Sequence, residues 1–387
     1  MKDVYVVSAT RTAVGRANRG SLAQFRPDEM AAVVLKDAVD RAGLKADEVQ
    51  DVVMGCAFPE GAQGMNVARI AVARAGLPDS TSAMTINRFC SSGLEAMSIA
   101  AAKIRAGMFD VALAGGVESM SLIPMGGAKY SPNPELTRER PEVYIAMGHC
   151  GDNVARDFNV SRQEMDEFAL RSHTRAIEAI KGGLFKDEIV ALDVPTGNGA
   201  TRSFDTDEGP REDTSLEALA KLRPAFAVSD KLGFCTAGNS SQTSDGAAAV
   251  CLMSEEAVKA HGVKPLAKFL GYAVSAGSPK YLGPAQLEAI PKALALSGIR
   301  KEDIGLVENN EAFASQCIYV LREMGFDMEK CNVNGGAISL GHPLGCTGCK
   351  LSVQIINEMR RRKEKYGLVT MCIGGGMGAA GVFELVS

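Results

Sequence analysis

From Ala38 to Phe58 the chain reads AVDRAGLKADEVQDVVMGCAF, and from Ala293 to Phe313 it reads ALALSGIRKEDIGLVENNEAF. Aligned without a gap, the two stretches share an Ala-rich helix, a glycine stop (Gly43 and Gly298), an acidic turn, an apolar strand and a closing Ala-Phe. More matches follow in the same order. Ile86-Asn87 ahead of Cys90 parallels Val333-Asn334 ahead of His342, and Leu113-Ala114-Gly115-Gly116 parallels Met371-Cys372-Ile373-Gly374-Gly375. Ordered matches of whole helix–turn–strand units point to a duplicated chain. Duplication brings equivalent strand ends together, which is where α/β proteins build their sites.

Working outward, strand-like runs alternate with helical ones: Val4–Val7, Pro27–Gly43, Val49–Met54, Asn66–Ala75, Ser92–Ala106, Val111–Ala114. This rhythm predicts an α/β fold with a parallel or mixed sheet covered on both faces. From Glu118 to Ala237 the rhythm breaks into Pro-, Gly- and charge-rich pieces around one amphipathic helix, Ser161–Lys181, and it resumes at Lys268. The expected organisation is an N-terminal half, residues 1–118 plus 243–267, an inserted loop domain, 119–242, and a C-terminal half, 268–387.

Composition narrows the function. With 42 basic and 46 acidic residues in 387, the net charge of −4 argues against a general nucleic-acid binder. An apolar share of 46% supports a large core, yet no apolar run approaches the ~18 residues of a membrane span. The first residues read directly as a strand, so a cytoplasmic protein is expected. Ten cysteines without a secretory signal read mostly as reduced, buried, small hydrophobes. No metal site is expected. Cys346 and Cys349 form a lone CxxC, read as small helix residues packed under the His342 loop.

Three loops hold residues with chemistry. Cys90, in Asn87-Arg88-Phe89-Cys90-Ser91-Ser92-Gly93, sits at a strand-to-helix junction. Free N–H groups and the helix dipole there favour a thiolate or an oxyanion, which predicts a lowered Cys90 pKa. His342, one of four histidines, is flanked by Gly341 and Pro343 in a glycine-rich loop just before a helix. Cys372 ends an apolar strand and opens Gly374-Gly375-Gly376, which matches no phosphate-binding pattern and suits close approach of an acyl group. Asn309, Asn310 and Glu311 are polar at a strand's carboxyl end.

These segments together resemble the thiolase family over nearly the whole chain. The resemblance rests on Ser8–Thr12, Asn87–Gly93, Gly238–Gln242 with Asp245–Ala248, Asn310–Phe313, Gly341–Pro343 and Cys372–Gly376. It implies a duplicated five-layer α/β/α/β/α fold with an inserted loop domain that binds coenzyme A. It implies that Cys90 carries the acyl group and that His342 activates it. His342 and a water held by Asn310 would bind a thioester oxygen, Cys372 would serve as the acid/base at the acetyl-CoA α-carbon, and the N–H groups of Cys90 and Gly374 would form a second oxyanion hole. Arg211 would face the nucleotide phosphates, while Met147, Leu219, Leu222, Phe226, Ala237, Ser241 and Phe313 would line the pantetheine tunnel. Coenzyme A and acyl-CoA enter as substrates, with no tightly bound cofactor. A homodimer or homotetramer is implied, and contact with other β-oxidation enzymes is a further expectation.

Departures from the family's usual pattern bear on the substrate. Ala146 precedes Met147-Gly148 where the biosynthetic branch has His, the cysteine loop reads Cys-Ser-Ser-Gly, and Asn239-Ser240-Ser241-Gln242 replaces Asn-Ala-Ser-Gly. All three resemble the degradative branch, so the expected reaction is cleavage of 3-ketoacyl-CoA by CoA in fatty-acid β-oxidation. A biosynthetic acetyl-CoA acetyltransferase is the alternative. A non-catalytic, thiolase-like lipid-binding subunit is a third reading, opposed by the presence of Cys90, His342 and Cys372.

Overall fold

The computed structural model describes residues 3–197, 199–226 and 233–386. Twelve strands are present among them: β1 (Val4–Arg11), β2 (Gly15–Arg16), β3 (Asp51–Gly55), β4 (Ser82–Ile86), β5 (Val111–Ser119), β6 (Leu192–Gly197), β7 (Ala200–Phe204), β8 (Ser244–Ser254), β9 (Ala267–Ala276), β10 (Leu306–Asn309), β11 (Tyr366–Ile373) and β12 (Met377–Leu385). The main sheet runs β10-β11-β12-β9-β1-β8-β5-β3-β4, with β2 beside β8.

That order is nearly palindromic, and the duplication explains it. In the first half β3 lies parallel to β4 and β5, while β8 and β1 follow antiparallel. In the second half β10 lies parallel to β11, while β12 and β9 follow antiparallel. A parallel bridge from Val307 to Cys331 stands in for the β3–β4 pair. Within the sheet the halves pair at Tyr5–Lys268 and Val6–Ala267. The repeat holds at residue level: Gly43 and Gly298 close their helices in the left-handed region at φ 68° and 67°, where glycine carries no Cβ penalty. The 3₁₀ turns Ala46–Glu48 and Lys301–Asp303 then enter β3 and β10.

Three large hydrophobic cores fill the five-layer stack, one on each outer face and one around the central helices. Helix Pro27–Ala42 buries Met30, Val34 and Leu35 on one outer face of the sheet, and helix Gln286–Ser297 buries Ile290 and Leu294 on the other. Between the sheet halves lie two helices, Ser92–Arg105 and Leu344–Arg362, whose Leu94, Met97, Leu351 and Ile355 fill the central core. Helix Leu344–Arg362 is buried along nearly its whole length, and its polar stripe of Lys350, Gln354, Asn357 and Glu358 is buried with it.

The segment from Met120 to Thr243 contributes helices Met147–Asp157 and Arg162–Lys181, the latter opened by a Ser161–Glu164 capping box, and the β6–β7 hairpin. Although it interrupts the first half in sequence, its Cys150, Val154 and Phe168 share a core with Phe313 and Val320 of the second half. It is pinned to β1 by the buried guanidinium of Arg11, which meets Glu188 at 2.7 Å and Asp207 at 2.8 and 2.9 Å. Among the described residues no helix is long and apolar enough to cross a membrane.

Candidate active site

The duplicated fold aims the N-termini of its two central helices at one place. Helix Ser92–Arg105 approaches helix Leu344–Arg362 so closely that a Cβ on Gly93 would stand 2.7 Å from Cys349 N, and one on Gly348 would stand 2.4 Å from Leu94 N. Both glycines are therefore required by backbone contact. Cys346 and Cys349 are fully buried in this interface, as small helix residues near the His342 loop. Cys90 lies in the tight turn just before the first helix, and His342 lies two residues before the second.

Phe89 adopts φ +42°, an unfavourable left-handed conformation for an aromatic residue, and so presents Cys90 on a sharp elbow. Asn87 Oδ1 accepts the Phe89 N–H at 2.8 Å, and Ser92 Oγ donates to the Phe89 carbonyl at 2.7 Å. The next residue, Ser91, ties the loop to β9 through a 3.0 Å contact with the Tyr272 hydroxyl, which itself donates to Glu95 at 2.6 Å.

Cys90 is half-buried as a residue, but its thiol is enclosed enough that burial pushes its pKa up to about 12. The N–H groups of Gly374 and of Cys90 itself oppose that rise. This corrects the sequence expectation of a lowered pKa: desolvation of the thiolate outweighs the N–H groups at the helix start.

His342 is buried, and burial followed by the charge of Lys350 pushes its pKa down to about 3, so the imidazole is neutral. Its Nδ1 lies 2.6 Å from Thr347 Oγ1, which donates onward to the Pro343 carbonyl at 3.0 Å. The Thr347 hydroxyl hydrogen is thereby committed, so Nδ1 carries the imidazole proton and Nε2 is left as the acceptor. Nε2 faces Asn310 Nδ2 at 3.2 Å, and Asn310 Oδ1 is buried with no protein partner among the described residues.

Cys372 sits near the end of β11, fully buried, with its pKa raised by desolvation and then by the nearby Cys90. Gly374 follows in the β11–β12 turn, where a Cβ would come 3.6 Å from both Met147 Sδ and the Phe89 ring. Gly376 must be glycine twice over, with φ +78° and a Cβ position 2.5 Å from the Ser278 carbonyl.

The residues expected along a tunnel are also brought together. Met147 reaches Gly374, and Phe226 stacks edge-on to Phe313 with centroids 6.1 Å apart. Leu219 and Leu222 close over Gly238, and the Ser241 N–H donates to the Ala312 carbonyl at 3.0 Å. Leu222 and Phe226 stay more than a third exposed, so an apolar strip runs from the surface toward Cys90. Ala237 is exposed beside it. Arg211 is exposed as well, held through its backbone N–H by His173 Nδ1 at 3.1 Å. Burial and the charge of Arg211 push His173 down to about 4. Glu311 proves to be a buried brace, accepting from Ser172, Asn332 and the Ile338 N–H.

Sequence reasoning missed Glu118, Thr347 and Tyr272. Each acts on a partner distant in the chain or on the far side of a helical turn, and none lies in a pattern that marks it. Among the described residues no group of three His, Cys, Asp or Glu is arranged to hold a metal.

Comparison with known proteins agrees with this geometry. The model of the thiolase N-terminal domain matches residues 4–256 and that of the thiolase C-terminal domain matches 263–385. A 3-ketoacyl-CoA thiolase of Bacillus subtilis (strain 168) is 53% identical over the full length of both chains. A peroxisomal 3-ketoacyl-CoA thiolase 1 of Arabidopsis thaliana is 42% identical, covering 99% of this chain and 87% of its own. The crystal structure of the Bacillus anthracis acetyl-CoA acetyltransferase superposes with a TM-score of 0.91 at 39% identity, covering 100% of this chain and 99% of its own. With both domain models matched in chain order around the converging helix starts of a duplicated five-layer fold, the chain belongs to the thiolase family.

Proposed function

We propose that this chain is a 3-ketoacyl-CoA thiolase that works in the degradative direction, with its acyl group carried on Cys90. In this reading Cys90 Sγ attacks the 3-keto carbonyl of the substrate and its proton passes to His342 Nε2. The C2–C3 bond then breaks, the acyl group stays on Cys90, and the departing acetyl-CoA carbanion takes a proton from Cys372. CoA thiol attacks the acyl-enzyme in the second half-reaction, giving its proton to the Cys372 thiolate, while His342 returns its proton to Cys90 as an acyl-CoA shortened by two carbons leaves. The raised pKa of Cys372 suits a group that must stay protonated until the carbanion forms. The N–H groups of Cys90 and Gly374 stabilise one oxyanion, and His342 Nε2 with a water on Asn310 binds the other.

The observation that carries this reading is that the end of β11 and the turn after it approach the Cys90 elbow: a Cβ on Gly374 would stand 3.6 Å from the ring of Phe89, the neighbour of Cys90, and Cys90 is near enough to Cys372 to raise its pKa. The tunnel residues Met147, Leu219, Leu222, Phe226, Ala237, Ser241 and Phe313 would take the pantetheine arm, and Arg211 the nucleotide phosphates. The segment 119–242 is then the CoA-binding unit between the halves 1–118 plus 243–267 and 268–387. A cytoplasmic enzyme of β-oxidation that assembles as a dimer or tetramer completes the proposal.

The degradative direction rests on the Cys-Ser-Ser and Asn-Ser-Ser-Gln segments and on the similarity to the B. subtilis relative. Steady-state thiolysis across acyl lengths tests it. We expect substrates longer than acetoacetyl-CoA to be cleaved with comparable or higher kcat/KM. Turnover confined to the four-carbon substrate would favour a biosynthetic acetyl-CoA acetyltransferase instead.

A further inference from the structure

Glu118 takes no part in the chemistry above, yet its hydrogen bonds all reach the scaffold of the site. It lies near the end of β5 with a fully buried side chain. Its Oε2 accepts the backbone N–H of Ala57 at 2.7 Å and of Gly345 at 2.8 Å. Its Oε1 accepts Gln63 Nε2 at 2.8 Å and the Phe58 N–H at 3.3 Å, with Cys56 Sγ at 3.6 Å.

Two of these bonds, those to Ala57 and Gly345, lead toward reacting groups. The Ala57 carbonyl accepts Asn87 Nδ2 at 2.9 Å, and the other end of that same amide accepts the Phe89 N–H beside Cys90. Gly345 stands in the first turn of the helix that follows His342 and Pro343. One carboxylate therefore joins the Cys90 elbow, built by the first half of the chain, to the His342 helix, built by the second.

The junction leaves no slack. A Cβ on Gly345 would stand 2.7 Å from Cys56 Cα and 2.8 Å from Glu118 Oε2, and one on Gly116 would stand 2.1 Å from the Gly345 carbonyl. The N–H donors from Ala57, Phe58, Gly345 and Gln63 converge on the two oxygens, so only a group that accepts at both satisfies them. A glutamine of the same shape would turn an NH₂ toward donors.

We infer that Glu118 is a positioning residue, which sets the placement of Cys90 relative to His342 by bridging the two halves of the chain. It touches neither substrate nor reacting atoms. The inference rests on the roles given above to Cys90 and His342. Misplacement of reacting groups on the ångström scale costs about 10²-fold in rate, and that sets the size of the effect to look for.

The test is a double-mutant cycle on acyl-enzyme formation. Full-length wild type, Glu118→Gln, His342→Ala and the double variant are mixed with labelled acetoacetyl-CoA in single turnover, alongside steady-state kcat and KM and thermal melting. We expect Glu118→Gln to acylate about 10–100-fold more slowly with KM within about two-fold, since positioning sets the rate of attack. In the His342→Ala background the same change should add less than about two-fold, because the alignment it supports is already without effect. Acylation by Glu118→Gln within about two-fold of wild type, or losses that multiply in the double variant, would overturn the proposal. A purely structural role would lower the melting temperature and the active fraction and would multiply with His342→Ala. If Glu118→Gln does not fold, Gln63→Leu removes one donor and keeps the carboxylate; slower acylation is then expected, and an unchanged rate overturns the proposal. A Cys90→Ser control that still acylates would instead overturn the assignment of the nucleophile.

Discussion

At the scale of single residues, burial governs the charge state of the site. Desolvation moves Cys90 up and His342 down, to about 12 and about 3, so thiol and imidazole are both neutral before substrate arrives. Attack on the substrate then requires the proton to move as the S–C bond forms. The sign follows directly. A histidine whose pKa is depressed stays neutral at every pH above the depressed value, and a cysteine whose pKa is raised stays protonated at every pH below the raised one. For the acylation half-reaction, kcat/KM, which reports free-enzyme groups, should be flat between about pH 6 and pH 8.5. An inflection near the ordinary histidine value of ~6.5 would contradict the burial argument. Thr347 completes this arrangement by committing Nδ1, a partner that five residues of sequence spacing do not disclose.

At the scale of elements, the site exists because two helices begin face to face. Their approach is set by Gly93 and Gly348 against opposing backbone. Gly93→Ala should force helices Ser92–Arg105 and Leu344–Arg362 apart. Overpacking of this kind costs about 1–3 kcal/mol, and acylation should slow as Cys90 and His342 separate. Calorimetry and a single-turnover assay check both; an unchanged melting temperature would mean that the backbone yields without cost. Much of this level was legible in the sequence. The Ala38–Phe58 and Ala293–Phe313 repeat anticipated paired helix stops, acidic turns and strands, because each is written in local sequence spacing. Boundaries moved where tertiary pairing extends an element: β1 continues to Arg11 and β5 to Ser119, since β8 pairs along both. The loops of Cys90, His342 and Cys372 were legible through their glycines. The braces Glu118 and Tyr272 were not, and Glu311 was marked by its strand-end position but not as a brace, because their hydrogen bonds join residues up to 227 positions apart, beyond any local pattern. The apolar strip under Phe226 was reached through family resemblance, since its residues come from scattered turns.

At the scale of the whole molecule, β4 ends the sheet with one edge unpaired among the described residues, and Met65 beside it is 93% exposed. An open strand edge next to exposed apolar side chains is a surface that proteins normally cover. Sedimentation should therefore give a dimer or tetramer; an active strict monomer would contradict the proposed assembly. In the proposed mechanism, the larger consequence of duplication is a division of labour between halves, in which the first supplies Cys90 and the second supplies His342 and Cys372. The most direct test feeds labelled acyl-CoA to Cys90→Ser and Cys372→Ala, following thioester formation on the Cys90 peptide and deuterium exchange at the acetyl-CoA α-carbon as separate signals. No thioester is expected in Cys90→Ser. In Cys372→Ala the thioester should be retained, with α-proton exchange lowered about 10²–10⁴-fold, the usual range for loss of a general acid–base group. Acylation surviving in Cys90→Ser, or exchange at the normal rate in Cys372→Ala, would contradict the proposed mechanism.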